Sequence, residues 1–247
     1  MSRLQDNVVI VLVEPQSPGN IGMVCRAMKN MGLSRLRLVG GCDHRHPDAV
    51  MFAVSARDLL DQARCYPTLD AALADTTISV ATTRRTGQYR QELLTPPQTA
   101  QLLHQQPTEG TAALVFGREA HGLSTDELSR CSLQATIPSD PGCGSLNLAQ
   151  SVLIFCYELF NAPAPDGVAG GRTTAPSAEL EGLFKHLATT LARIGFLNPQ
   201  NPAHIMRSLR RIFFRAALDS REVAILRGML SQVDWAASDF DGRKKSP

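Results

Sequence analysis

Several groups of side chains in this 247-residue chain have the type and spacing to do chemistry. Arg207, Arg210, Arg211 and Arg215 fall on one side of a helical projection, and Ile205, Leu209, Ile212 and Phe213 fall on the other. That pattern predicts an amphipathic helix with a guanidinium stripe, and planar guanidinium forks grip phosphates. Cys42, His44 and His46 form a metal-like grouping. Tetrahedral zinc needs three or four ligands, and no second cluster supplies the rest, so no metal is expected. Three small-residue loops complete the inventory: residues 14–20, 117–122 and 138–144. None carries G-x-G-x-x-G with an acidic residue about 20 positions on, and none carries the Walker A pattern, which argues against both common nucleotide-binding loops.

The elements around those loops follow from the apolar periodicity. Residues 7–13 form a continuous β-branched run that suits a strand buried on both faces. Ile21, Val24, Ala27, Met28 and Met31 then recur at helical spacing, with Gly32 placed for a left-handed cap. Residues 35–39, 77–81 and 112–116 read as further strands separated by helical stretches. Alternation of this kind implies an α/β fold, a mainly parallel sheet with helices on both faces. In such sheets ligands bind beyond the carboxyl ends of the strands, where the three loops fall. Residues 148–160 form a helix that is apolar almost all round and must therefore be buried.

Composition sets the frame. Lys and Arg number 25 against 23 Asp and Glu, with 43% hydrophobic residues, so the chain is neither disordered nor fibrous. No apolar run is long enough for a transmembrane helix and no signal peptide precedes the first strand, which points to the cytoplasm and to reduced thiols at all six cysteines. The near-neutral charge hides a division. Residues 1–163 carry 13 basic and 15 acidic side chains, whereas residues 177–247 carry 11 and 7. Residues 164–176, rich in Gly, Pro and Ala, read as a flexible linker between a larger domain and a small basic appendage. In that appendage Leu180, Phe184, Leu187, Leu191 and Ile194 make one helical seam. A third helix from Asp219 or Ser220 is expected to bury Val223, Leu226, Leu230 and Val233, and Ser177 to cap the first.

The loops also carry a resemblance. Residues 14–22 with 26–32, residues 114–119 with Gly122 and Leu123, and Ile137, Pro138 with residues 145–149 resemble, in order, the three motifs of the SPOUT RNA 2′-O-methyltransferases. The match is nearest to the TrmJ branch, the bacterial tRNA (cytidine/uridine-2′-O-)-methyltransferases, and extends to residues 209–213 and 225–228 of the appendage. The resemblance implies a trefoil knot, a homodimer, S-adenosyl-L-methionine as cofactor and tRNA as partner. Its target would be cytidine or uridine at position 32 of the anticodon loop. The cofactor would lie against Thr82, Thr83, Arg84, Gly117, Ile137, Gly144, Ser145 and Leu146. The alternatives are the same reaction at another tRNA or rRNA position, or a non-catalytic RNA-binding protein on the same fold.

By the same resemblance the catalytic set is Arg26, Asn20, Glu119, Ser145 and Asn147. Arg26 is the residue placed at the transfer step. A guanidinium is always charged in proteins and makes a poor general base. Its expected task is to grip the target phosphate and orient the 2′-OH, leaving the proton to phosphate or water. Asn20 is expected to orient Arg26, contact RNA or cap a helix; Glu119 to hold an arginine; Ser145 and Asn147 to touch the ribose or cap the next helix. His121 carries an imidazole, a side chain often used as a base, but the motif does not require it. Arg207, Arg210, Arg211 and Arg215 are expected to bind RNA by backbone and shape, since aromatic residues are few.

Overall fold

The computed structural model describes residues 4–84, 93–105, 110–140, 142, 144–163, 173–198 and 200–238. The chain divides into two compact units, Met1–Thr173 and Thr174–Pro247. The linker expected at residues 164–176 lies outside the described residues as far as residue 172. Its end belongs to the second unit: Ala175 is buried and donates its N–H to the Leu218 carbonyl at 2.7 Å.

The first unit opens with a single helical turn, α1 (Leu4–Asn7), and β1 (Val8–Val13), buried along its whole length. Next come α2 (Pro18–Asn30), β2 (Arg35–Val39), α3 (Pro47–Ala53), α4 (Arg57–Asp61), β3 (Arg64–Tyr66), α5 (Leu69–Leu73) and β4 (Thr76–Thr82). Then follow α6 (Pro96–His104), β5 (Thr111–Phe116), α7 (Thr125–Arg130), β6 (Leu133–Ala135) and α8 (Leu148–Asn161). The six strands form one parallel sheet in the order β3-β2-β1-β5-β4-β6. Alternate residues of β1 feed two cores. Val8, Ile10 and Leu12 pack with α2, α6 and α8, while Val9, Val11 and Val13 pack with α5 and Cys131 on the other face. This is the layered arrangement that the alternating pattern implies.

At one edge of the sheet, β6 finds partners on both of its sides. Thr83 at the end of β4 donates its N–H to Ala135 of β6. Gln134 accepts from the N–H of Leu94, and Thr136 donates to the Leu94 carbonyl. Adjacent carbonyls of a strand point to opposite sides. β6 is therefore held between β4 and Leu94.

Helix α2 begins earlier than the apolar periodicity suggests. Ser17 is the N-cap, its hydroxyl accepting from the Asn20 N–H at 3.4 Å, and Pro18 fills the first turn, where a missing N–H costs nothing. Asn20 thus lies inside the helix rather than capping it. Gly32, at φ +74°, ends it in the left-handed conformation. α8 is only half buried. Val152, Phe155, Cys156 and Leu159 enter the core, but Leu153, Tyr157 and Phe160 are exposed, so the expectation of a wholly buried helix fails. α2 rests on α3 at a point with no room for a side chain: a Cβ on Gly22 would overlap the Ala49 carbonyl and lie 2.8 Å from the Ala53 nitrogen.

The second unit packs α9 (Ser177–Arg193), α10 (Pro202–Ala216) and α11 (Ser220–Ala236) around Leu180, Leu183, Phe184, Leu218 and Val223. Pro176, not Ser177, caps α9. In α11 Val223 is buried and Leu226 and Leu230 are half-buried, but Val233 is 39% exposed, correcting its expected burial. The helical projection also misplaces α10. Met206, Phe213 and Phe214 pack on the core, while Ile212 is 50% exposed. The two adjacent phenylalanines turn the helix and draw Arg210 inward.

Gly22→Ala tests the helix contact. Overpacking of this kind costs about 1–3 kcal/mol. The variant is expected to unfold at lower urea concentration than the wild type by that margin, with an unchanged m-value.

Candidate active site

The register of the sheet assembles the site. Leu12 of β1 lies beside Phe116 of β5, so the loops leaving these strands run together at the carboxyl edge. Glu119, three residues past β5, reaches across. Its carboxylate accepts from the backbone N–H of Gln16 at 2.8 Å and Ser17 at 3.1 Å, and from Asn20 Nδ2 at 2.8 Å. A carboxylate at a helix N-terminus is favoured both by the free N–H groups and by the helix dipole. Burial works to raise the Glu119 carboxyl, but the hydrogen bonds from Asn20, Gln16 and Ser17 outweigh it and hold the group below its ordinary value. Glu119 therefore grips the start of α2, where an arginine was the expected partner.

Asn20 continues the chain of bonds. Its Oδ1 accepts from Asn147 Nδ2 at 2.9 Å. Asn147 is in turn the N-cap of α8, its Oδ1 accepting from the N–H groups of Ala149 at 2.8 Å and Gln150 at 3.3 Å. Asn20 spends its amide on Glu119 and Asn147, and not on Arg26. One continuous hydrogen-bond chain, Glu119–Asn20–Asn147, joins the start of α2 to two segments 99 and 127 residues further along the chain.

Arg26 and Ser145 remain. Both are exposed, and neither has a hydrogen bond or ion pair among the described residues. Arg26 lies six residues beyond Asn20, about 9 Å further along α2. Among the cofactor-assigned residues, Thr82 donates to the Val115 carbonyl at 3.0 Å, and Thr83 is tied to β6. Arg84 lies against Gly144, whose Cβ would meet the arginine Cδ at 3.2 Å. Gly117 is backed closely by the Gly122 and Leu123 backbone, where a side chain has no space. Ile137 packs half-buried against the core, while Leu146 is 37% exposed. Half-buried aliphatic side chains beside bare backbone fit a flat apolar ring carrying polar edges and hydroxyls.

The arginine stripe is broken. Arg210 forms a bidentate pair with Glu181, both side chains about 14% exposed or less, and stacks 4.4 Å from the Phe184 ring centre. It is a packing residue of the helical unit, which corrects its place in the expected RNA-binding set. Arg207 and Arg211 are half-buried, with Arg211 donating to Ser208 at 3.2 Å, and Arg215 is exposed. His121 is exposed in its loop. Among the described residues no three His, Cys, Asp or Glu side chains gather as for a metal; His44 meets only Cys65, at 3.9 Å. The Cys25, Cys131 and Cys156 thiols are pushed up to about 12 by burial and stay protonated.

Residues 7–157 match the model of the SpoU rRNA Methylase family, and residues 178–243 match that of the C-terminal domain of the tRNA methyltransferase TrmJ. The tRNA (cytidine/uridine/adenosine-2′-O-)-methyltransferase TrmJ of Pseudomonas aeruginosa is 41% identical, covering 94% of this chain and 95% of its own. A tRNA (cytidine/uridine-2′-O-)-methyltransferase TrmJ of Pectobacterium atrosepticum is 39% identical over 92% of this chain and 97% of its own. Among solved structures, TrmJ from Z. mobilis superposes with a TM-score of 0.81 at 37% identity, covering 92% and 98% of the two chains.

The lowered Glu119 titration fixes a pH dependence. A group with a depressed folded pKa stabilises the fold above its unfolded value and loses that contribution as pH falls through the folded one. Comparison with Glu119→Gln is therefore expected to show a full stability gap above the ordinary value of 4.5, shrinking only in more acid solution. Thermal melts from pH 7 down to pH about 3 measure it; a gap independent of pH would remove the carboxylate from the clamp.

Proposed function

The chain belongs to the SpoU methylase family, and from that membership we propose that it is a tRNA (cytidine/uridine-2′-O-)-methyltransferase using S-adenosyl-L-methionine. The observation that carries this reading is the division of labour at the sheet edge: a saturated polar clamp of Glu119, Asn20 and Asn147 beside two uncommitted groups, Arg26 and Ser145. The target nucleotide by this reading is position 32 of the anticodon loop. The enzyme acts as a homodimer in the cytoplasm. The exposed Leu153, Tyr157 and Phe160 of α8 support a self-association face, and no helix among the described residues can cross a membrane. A trefoil knot is supported by β6 lying between β4 and Leu94.

Thr82, Thr83, Arg84, Gly117, Ile137, Gly144, Ser145 and Leu146 would hold the cofactor, which when bound supplies an already activated methyl group. The protein's task is alignment of the ribose oxygen and acceptance of its proton. Arg26 is placed to do the first through the neighbouring phosphate, with a fork that fixes direction as well as distance. Ser145, beside the α8 N-terminus, offers a hydroxyl to the ribose. The clamp makes both possible by fixing the helix starts from which they project. The proton leaves to phosphate or water, since no carboxylate of the clamp is free to take it.

Transfer of labelled methyl from S-adenosyl-L-methionine to unmodified tRNA, followed by nucleotide mapping, tests the proposal. Wild-type protein is expected to give a single 2′-O-methylated pyrimidine. Arg26→Lys keeps the charge but loses the fork; it is expected to lower turnover about 100-fold, at the low end of what such electrostatic contacts supply. Transfer to no RNA at all ends the reading, and an unimpaired Arg26→Lys ends the phosphate grip.

The helical unit is proposed to bind tRNA through its outward cations, among them Arg207, Arg211 and Arg215, without Arg210. Removing one member of a buried ion pair costs about 3–5 kcal/mol. Arg210→Ala is expected to destabilise this unit by that order. Arg215→Ala should leave the melt unchanged, weaken tRNA binding and reduce its salt dependence by about one counterion. Equal effects of the two on melting would restore the stripe.

A further inference from the structure

Arg118 occupies the centre of a network that the clamp does not include. Its Nε donates to Glu14 at 2.8 Å, and its two terminal nitrogens pair with both oxygens of Glu127 at 3.0 and 3.1 Å. The side chain is only 20% exposed, and Glu127 17%. One partner lies on the loop after β1 and the other in α7. Glu14 is the first residue past β1; it sits at φ +47°, a costly backbone for a non-glycine residue, and its N–H is bound to the Val39 carbonyl at 2.8 Å. Glu127 forms the capping box of α7 with Ser124. The Arg118 carbonyl closes the tight turn by accepting from Gly122 at 2.8 Å, and Gln16 accepts from the Ala120 N–H at 3.2 Å. The next residue along the chain is Glu119.

We infer that Arg118 is a positioning residue for methyl transfer: its guanidinium, held on α7 by the fork to Glu127 and on the β1 loop by Nε to Glu14, locks the two segments together so that Glu119 stays on the start of α2 and Arg26 projects in register. A single cation holding one carboxylate on the β1 loop and one on α7 sets the spacing that Glu119, the next residue along the chain, then uses. The inference rests on the function proposed above. Its geometric half does not.

Arg118→Lys keeps the charge and loses the fork. In full-length protein it is expected to lower kcat at least about tenfold, with KM for tRNA within about twofold. On an Asn20→Ala background the same change should cost less than about twofold, because the route through Glu119 is already cut. Independently of activity, amide hydrogen exchange at Gln16 and Ser17 should quicken in Arg118→Lys. Glu127→Gln, which weakens one arm only, gives the same pattern in milder form and serves if the lysine variant fails to fold. Unchanged exchange at Gln16 and Ser17 overturns the inference, as does a kcat loss undiminished by Asn20→Ala. A wild type that methylates no RNA, with the exchange effect intact, strikes the proposed function and leaves the loop lock standing.

Discussion

Everything at the sheet edge depends on one ionised carboxylate, that of Glu119, lying on the first turn of α2. The contact is favourable because a helix start presents N–H groups without intrahelical partners and a positive dipole end. It is possible because β1 and β5 are parallel neighbours in a fixed register, which brings residues three or four past each strand into reach. Partial burial alone would push the carboxyl toward neutrality; three donors reverse that sign. The same donors fix the position of Asn20, and Asn20 fixes Asn147. Two helices that approach from different parts of the chain thereby start from a common polar centre.

This arrangement separates residues that hold from residues that act. A buried or half-buried amide that has found both a donor and an acceptor gains little by leaving them for a transient ligand, since each broken bond costs about the desolvation of the group left behind. Asn20, buried and bonded to both Glu119 and Asn147, is in that condition. Arg26 and Ser145 are exposed and uncommitted, so contact with a phosphate or a ribose costs them only water. The five polar residues that the motifs single out thus divide into three that build the edge and two that face outward from it.

The strands β1 and β5 were legible in the sequence as continuous apolar runs, the pattern of strands covered on both faces, and β2 and β4 as short stretches bearing Leu36, Leu38, Ile78 and Val80 between helical segments. β3 and β6 were not: each has three residues, and their identity comes from what they pair with. Ser17-Pro18 carries the local signature of a helix start, yet apolar periodicity begins only at Ile21, which hides Asn20 inside the helix. The motif residues themselves were legible. Their partners were not, because Glu119 to Asn20 and Asn147 to Asn20 are contacts across roughly a hundred residues, which periodicity cannot reach. Arg118 carries no signal of its own between two residues that the motif singles out.

The helical unit shows the limit of a two-letter pattern. Counting Arg210 as polar puts it on the solvent side, but a long arginine stem is apolar along its length and its planar head stacks on aromatic faces. Phe184 supplies the face and Glu181 the counter-charge, so the guanidinium is held inside. Two consequences follow. The excess of basic over acidic groups in residues 177–247 is unchanged, because the pair cancels, but the cations available to phosphate are fewer than the projection suggests. Counterion release scales with the phosphates neutralised, not with the arginines present. How α10 sits on α9 is set by Phe213 and Phe214 against the Phe184 ring, with Arg210 held between that ring and Glu181.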